Sequence, residues 1–158
     1  MKSTYTRHGH LDMFVALEIQ SGIAHTKTYP RKRRIEFLDF MNYLVETIPS
    51  IKDGKFQLHI VMENYCIHKN CDVWFVSHPN VFFHYTPTSA SWLNLAEVYL
   101  GKFTRPFLNG ASFSTLDEVD QAVADYRDYH NNDPKPYRWR KREVKGTQLR
   151  NILSNFVD

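Results

Sequence analysis

Hydrophobic positions in the first third of the chain fall in two short segments and then change to a longer spacing. Leu11–Ile19 carries five consecutive apolar residues from Met13 to Leu17, "QSG" supplies a turn, and Ile23–Tyr29 alternates small or apolar residues with threonines and a lysine, which predicts a β-hairpin. From Arg33 the apolar positions recur every three or four residues until Pro49, which predicts an amphipathic helix. We expect its apolar face to comprise Ile35, Leu38, Met41, Leu44, Val45 and Ile48.

The pattern in the middle of the chain predicts a strand, a short helix and a second strand. The nearly unbroken apolar run in "FQLHIVMEN" predicts a strand that is covered on both faces and ends at Glu63. A short helix is expected through "NCDVWFVSHP", and Val81–Tyr85 predicts another buried strand. Two strands joined through a helix form a parallel pair with a crossover connection, so an α/β fold is expected.

Two further helices follow. Apolar residues at helical spacing predict a helix whose apolar stripe packs on the sheet and does not include Glu97. The stripe comprises Trp92, Ala96, Tyr99, Leu100 and Phe103. The last helix begins at a capping box, Thr115 with Glu118 three positions later. Its apolar face is expected to comprise Leu116, Val119, Val123, Tyr126 and His130. We divide the chain into one domain, residues 1–135, and a basic tail, residues 136–158.

Composition places the chain among folded proteins without a membrane span. Hydrophobic residues make up 42% and charged residues 23% of the 158 positions, which is far from the signature of disorder. No apolar stretch approaches the ~18 residues of a membrane helix, and the start "MKSTYTRHGHLD" lacks the apolar centre of a secretory signal. A cytoplasmic location, with Cys66 and Cys71 reduced, is therefore expected.

Basic residues are concentrated rather than numerous. The formal charge is only +3, but two runs are rich in lysine and arginine: "PRKRR" (Pro30–Arg34) and "KPYRWRKREVK" (Lys135–Lys145). The second run is interleaved with aromatic residues. Such runs suit a polyanionic partner, although a solvated surface explains them equally well without further context.

Two glutamates are candidates for chemistry. Glu63 ends a predicted strand, and Glu97 follows 34 positions later on a helix. Carboxylates so placed can point into one cleft and bind a hard divalent cation, although each alone is more simply a solvated acid. His68 could be a metal ligand, a general base, a hydrogen-bonded structural residue or a phosphate contact, and we favour the phosphate contact. A zinc site at Cys66, His68 and Cys71 is disfavoured because no second ligand pair has suitable spacing.

Three segments carry a family resemblance. "VMENYCIHK", "FFHYTPTSASWLNLAE" and "YHNNDPKPYRW" resemble, in order and spacing, the insertion-sequence branch of the mariner-like DDE transposases. "YTRHG" and "MFVALEIQSG" resemble that family's second strand and hairpin, so the resemblance spans about residues 5–140. It implies a ribonuclease-H-like, retroviral-integrase-type mixed sheet flanked by helices, and an activity that cuts and joins DNA.

The resemblance also implies roles for particular residues. Glu63 and Glu97 would be catalytic ligands of Mg²⁺ or Mn²⁺; enzymes of this type hold two such ions roughly 3.5 to 4 Å apart. The expected DNA contacts are Asn64, His68, Ser91, Asn94, Lys102, Arg105, Arg31, Lys32 and Arg33.

Two departures from the family pattern predict a chain that is inactive alone. The family has aspartate where this sequence has Glu63, and a misplacement of about 1 Å can cost on the order of a hundredfold in rate. The family's first aspartate lies on a strand ahead of "YTRHG", and no residue here matches it, so that first strand is expected to be missing and to leave open sheet edges. Metal binding should then be weak. The expected partners are DNA and a second copy, a full-length transposase or an upstream fragment, at the nucleoid of a bacterial cytoplasm.

Two other functions remain open. The chain could be a non-catalytic DNA-binding or dimerising remnant that acts as partner or repressor of a full-length transposase. An unrelated metal-dependent nuclease of the same fold is disfavoured, because "PTSASWLN" with a glutamate three positions later is so particular.

Overall fold

The computed structural model describes residues 9–87, 95–104 and 111–138. Its elements, in chain order, are β1 (Asp12–Leu17), β2 (Ala24–Tyr29), α1 (Arg34–Thr47), α2 (Pro49–Lys52), β3 (Leu58–Met62), a 3-10 turn (Cys66–His68), α3 (Asp72–Ser77), β4 (Val81–Tyr85), α4 (Ala96–Phe103) and α5 (Leu116–Asn131). This order confirms the predicted elements within the described residues; Trp92, predicted on the apolar stripe of α4, lies outside them. Neither the 3-10 turn nor α2, a single turn that begins at Pro49, was predicted.

The predicted hairpin is confirmed. β1 and β2 pair antiparallel, with Asp12 opposite Tyr29 and Leu17 opposite Ala24. The turn closes through a hydrogen bond from the Gly22 amide to the Glu18 carbonyl, 2.8 Å long. Gly22 has φ +82°, a left-handed conformation that glycine adopts without the steric cost of a Cβ atom.

The parallel crossover is also confirmed. β3 and β4 pair parallel, from Leu58 opposite Val81 to Met62 opposite Tyr85. The expectations that β3 is covered on both faces and that β4 is a buried strand are both wrong; in β4, Phe82 is 38% and Tyr85 44% exposed. Successive strand side chains point to opposite faces, and among the described residues only the Ile60 and Met62 face of β3 packs on the core. Val61, on the other face, is 45% exposed.

The buried face of α1 differs from the predicted one. Ile35 is 67% exposed, whereas Phe37, Phe40, Met41 and Leu44 are at most 3% exposed. These four positions also have helical spacing, and they carry two phenylalanines, whose rings bury more apolar area than a single isoleucine. The helix is therefore rotated so that its aromatic stripe faces the core.

The core has two parts on opposite faces of the hairpin. One gathers around α1 and includes Phe14 of β1 and Met62 of β3, so α1 covers both sheets. The other consists of Ala24, Tyr99, Phe103, Val123 and Tyr126. Met13, Val15 and Leu17 pack against this second part, and the helices α4 and α5 thus cover the hairpin face that is turned away from α1.

The predicted apolar face of α5 is confirmed at its centre by Val123 and Tyr126, and Thr115 caps the helix by accepting a hydrogen bond from the Glu118 amide. At the end of α5, Asn131 pairs with the backbone of Ala24 in β2, accepting from its amide at 2.8 Å and donating to its carbonyl at 2.9 Å.

Within the described ranges each sheet has two strands, β1 with β2 and β3 with β4, and β1 and β3 each have one hydrogen-bonded neighbour. The α/β class is as expected, in the form of two small sheets. None of the described helices combines the length and apolar character needed to cross a bilayer. The boundary at residue 135 stays a prediction; the Tyr137 amide donates to the Ile19 carbonyl at 2.9 Å, so the chain just beyond that boundary contacts the hairpin.

Candidate functional site

Glu63 lies directly after β3, with its side chain exposed. Its backbone carbonyl is held by two donors, the Tyr65 amide at 2.9 Å and Nδ1 of His68 at 2.9 Å.

His68 is part of the core beside this segment. It is 8% exposed, and its ring packs against that of Phe37 with centroids 4.6 Å apart. Because its partner is a carbonyl oxygen, Nδ1 carries the hydrogen. Burial lowers the pKa of His68 below its ordinary value and favours the neutral ring, although the hydrogen bond to Glu63 acts in the opposite direction. This is the environment of a hydrogen-bonded structural histidine, and the phosphate contact stays a prediction.

Glu97 lies in the first turn of α4, and its side chain is exposed. The same helix buries Tyr99 and Phe103, which are 1% and 3% exposed, against the hairpin. Glu97 is therefore off the packed stripe, as expected. The catalytic and metal-binding roles of Glu63 and Glu97 stay predictions.

The basic loop ahead of α1 lies against the Glu63 segment. Nζ of Lys32 is 4.8 Å from the centre of the Tyr65 ring, within the range of a cation–π contact. Arg31 and Lys32 are exposed. Arg33 pairs with Glu36 across the first turn of α1, its Nε donating at 2.9 Å, and this hydrogen bond lowers the pKa of Glu36. Arg33 thus stabilises the start of α1, while the exposed side chains of Arg31 and Lys32 are accessible to an anion.

Lys102, at the last turn of α4, borders a second basic surface. Its Nζ is 5.8 Å from the centre of the Tyr137 ring. The open cleft around this contact has a volume of about 620 Å³ and is lined by Lys102, Tyr126, Tyr129, His130, Asn132, Asp133, Lys135, Pro136, Tyr137 and Arg138. Lysine, arginine and tyrosine side chains of this kind suit a phosphate backbone with bases stacked beside it.

The other predicted contacts divide into two groups. Asn64 is exposed beside Glu63, and its contact with DNA stays a prediction. Ser91, Asn94 and Arg105 lie outside the described residues.

Sequence reasoning did not single out two tyrosines that hold this region together. The Tyr65 ring makes the cation–π contact with Lys32, and the Tyr85 hydroxyl donates a hydrogen bond to the His68 carbonyl at 2.7 Å. The sequence signal for both residues was their position: Tyr65 is two residues after Glu63, and Tyr85 is the last residue of β4. Side chains at strand ends converge in an α/β fold, so both could have been expected near Glu63.

The carboxylates of Glu63 and Glu97 are the oxygen donors that Mg²⁺ and Mn²⁺ prefer. Their chemistry therefore fits a divalent metal. The part of the chain that the structure describes contains no group of three or more His, Cys, Asp or Glu side chains placed to hold an ion.

Comparison with known proteins identifies the family. The profile of a family described as DDE superfamily endonuclease matches residues 2–120, which is about three quarters of the chain. No curated protein and no solved structure matches. Enzymes of this superfamily typically use a divalent metal and act on DNA. The matched stretch includes Glu63, Glu97 and the basic loop, and the chain therefore belongs to the DDE endonuclease superfamily.

Proposed function

We propose that this chain is the DNA-cutting and DNA-joining domain of a transposase of the mariner-like insertion-sequence group, with Glu63 and Glu97 as two of its catalytic carboxylates. The proposal is supported by one observation: Glu63 and Glu97 are both exposed, and each is attached to an element that packs on the core, β3 through Met62 and α4 through Tyr99 and Phe103.

A bound Mg²⁺ or Mn²⁺ would supply Lewis-acid activation of the phosphodiester. The chain's own residues would bind the ion and position the substrate. Glu63 and Glu97 would hold the ion through carboxylate oxygens, and the His68 hydrogen bond would keep the Glu63 backbone in place beside it. Asn64 would contact the substrate from the same loop.

The basic loop would hold the DNA. Arg31 and Lys32 project from a segment that touches Tyr65, two residues beyond Glu63. Each phosphate that such a cation neutralises releases counterions, which is the main source of affinity for DNA. The loop would therefore bring the scissile phosphate close to the carboxylates.

We further propose that these 158 residues are catalytically incomplete by themselves. Two carboxylates hold Mg²⁺ weakly, because the ion demands near-ideal octahedral coordination. In the family the missing carboxylate is on a strand, and the edges of β1 and β3 each lack one hydrogen-bonded neighbour in the described structure. A strand that pairs with these edges and ends in aspartate would supply the third carboxylate and join the two sheets.

Nicking of supercoiled plasmid tests the proposal. The 158-residue chain should show no Mg²⁺- or Mn²⁺-dependent nicking above background. A chain with Glu63→Asp and an N-terminal extension that supplies a strand ending in aspartate should nick, and Glu97→Gln should abolish this activity. Glu46→Gln, which removes an exposed acid on α1 paired with Lys52, is the matched control and should leave it unchanged.

Either of two results would contradict the proposal. Nicking by the unextended chain that is lost on Glu97→Gln would refute its incompleteness. An extended, folded chain with Glu63→Asp that binds DNA and Mn²⁺ yet never nicks would refute the assignment of the site.

The second candidate function is a non-catalytic DNA-binding or dimerising partner of a full-length transposase. The cleft beside Lys102 and Tyr137 favours it, because that surface needs no metal to hold a polyanion. Binding of DNA in EDTA with unchanged affinity, together with inhibition of an active transposase, would support this function over the first.

A further inference from the structure

Two histidines from different strands meet on the exposed face of the β3–β4 sheet. Nδ1 of His59 lies 2.9 Å from Nε2 of His84, and the rings are nearly parallel, with centroids 5.2 Å apart. Both residues are exposed. The register places His59 opposite Phe82 and Val61 opposite His84, so the pair is a diagonal contact across two parallel strands.

The separation of the two nitrogens suits a transition metal. With metal–nitrogen bonds of about 2.0 to 2.1 Å, two cis ligands at a right angle are about 2.9 Å apart, whereas two tetrahedral ligands are about 3.3 Å apart. The observed 2.9 Å is the length of a hydrogen bond between the rings and equals the spacing of two cis ligands, so both nitrogens could bind one Cu²⁺ or Ni²⁺ ion with little change in their separation. Imidazole nitrogens also select these ions against Mg²⁺, which prefers oxygen.

Neighbouring side chains already orient His59. The Oε1 atom of Gln57 lies 3.3 Å from Nε2 of His59, so that nitrogen carries the hydrogen and Nδ1 keeps its lone pair. Phe82 stacks on the same ring, with centroids 5.1 Å apart. Metal-binding histidines commonly donate their second ring hydrogen to such an oxygen acceptor, which fixes the tautomer and the ring direction.

We propose that His59 and His84 form a two-histidine site for Cu²⁺ or Ni²⁺, with water in the remaining positions. Before the metal binds, Nε2 of His84 carries that ring's single hydrogen and donates it to Nδ1 of His59; on binding, this hydrogen moves to Nδ1 of His84, so that Nε2 of His84 and Nδ1 of His59 each present a lone pair to the ion. This site is separate from Glu63 and Glu97 and takes a different class of ion.

Metal binding at this site would clamp β3 to β4. A two-stranded sheet is marginally stable without further support, and the metal would link its strands through one side chain next to the start of β3 and one next to the end of β4. Glu63 follows immediately after β3, so the clamp would also stiffen the strand that positions it.

Thermal unfolding of the full chain, without an affinity tag, tests the inference. Ni²⁺ at about a hundredfold excess over its dissociation constant should raise Tm by roughly 5 °C. His59→Gln and His84→Gln should each abolish this rise. His78→Gln is the matched control, because His78 stacks on Trp74 and bonds to its carbonyl through Nδ1, and it should keep the rise. Mg²⁺ at the same concentration should leave all four proteins unchanged.

The electron paramagnetic resonance spectrum of the Cu²⁺-loaded chain gives a readout that does not depend on stability. It should show hyperfine coupling to two nitrogens in the wild type and to at most one in His84→Gln. The inference is overturned if the wild type shows no Ni²⁺-dependent rise in Tm, if the rise survives in both His59→Gln and His84→Gln, or if His84→Gln keeps two coupled nitrogens.

Discussion

Nδ1 of His68 donates to the backbone carbonyl of Glu63 over 2.9 Å, and this hydrogen bond connects the core to the candidate site. The same imidazole packs on Phe37 of α1, which is 2% exposed. The position of the Glu63 backbone thus depends on the packing of a helix that carries none of the candidate catalytic residues.

This connection predicts a dependence of stability on pH. Burial lowers the pKa of His68 in the folded state below the unfolded value of about 6.5. Above that value the ring is neutral in both states. As pH falls below it, the unfolded chain binds the proton first, so stability is lost progressively until the lower folded pKa is passed.

Urea unfolding of the wild type and of His68→Gln at pH 7.5 and pH 5.5 measures this contribution. The free energy of unfolding of the wild type should fall more on acidification than that of the variant, which lacks the titrating group. An equal fall in both proteins would show that His68 does not contribute.

Gly22 should be far less tolerant of substitution than Gly54. Both have positive φ, +82° and +68°, so alanine costs on the order of 1 kcal/mol of backbone strain at either position. A Cβ atom at Gly22 would also overlap the backbone of Lys135, whereas nothing lies within 4 Å of one at Gly54. Gly22→Ala should therefore lower Tm clearly more than Gly54→Ala, and similar shifts would mean that residues near Lys135 do not pack on the hairpin turn.

Asn131 should contribute to stability through its two hydrogen bonds to Ala24. Ala24 is fully buried, and its amide and carbonyl both pair with this one side chain. Asn131→Ala leaves both groups without that partner and should reduce the free energy of unfolding by about 1 to 3 kcal/mol. The adjacent, exposed Asn132 is the control: Asn132→Ala should change it by less than about 0.5 kcal/mol.

Lys32 should contribute to DNA affinity without reading sequence. Lys32→Gln should weaken binding to unrelated duplexes equally and reduce the slope of log affinity against log salt by about 0.9. Lys55→Gln removes the same charge from an exposed site paired with Asp53 and should leave the slope unchanged. Equal slopes for Lys32→Gln and the wild type in filter-binding titrations would show that Lys32 does not contact a DNA phosphate.

Elements with strong local signals could be predicted from the sequence. The hairpin turn at Gly22, the end of α1 before Pro49 and the cap of α5 at Thr115 each depend on a few adjacent residues, and all three were foreseen. The exposure of Ile35 was not predicted, because the periodicity of α1 alone does not determine which of its two apolar faces buries more area.

Features that depend on register could not be predicted. The contact between His59 and His84 requires knowing which residues of β3 and β4 are opposite each other, and the contact between Lys32 and Tyr65 requires the position of a loop relative to a strand end. The roles of Glu63 and Glu97 come from the family resemblance and from their places after a strand and on a helix, and they stay predictions.

Anomalous diffraction from a crystal soaked in Mn²⁺ tests the central claim most directly, namely that Glu63 and Glu97 contribute two carboxylates to a site that needs a third. We expect a single, partially occupied Mn²⁺ peak that contacts both carboxylates and is otherwise coordinated by water. Two ions fully ligated by side chains of this chain alone, or a peak that contacts neither glutamate, would contradict the account.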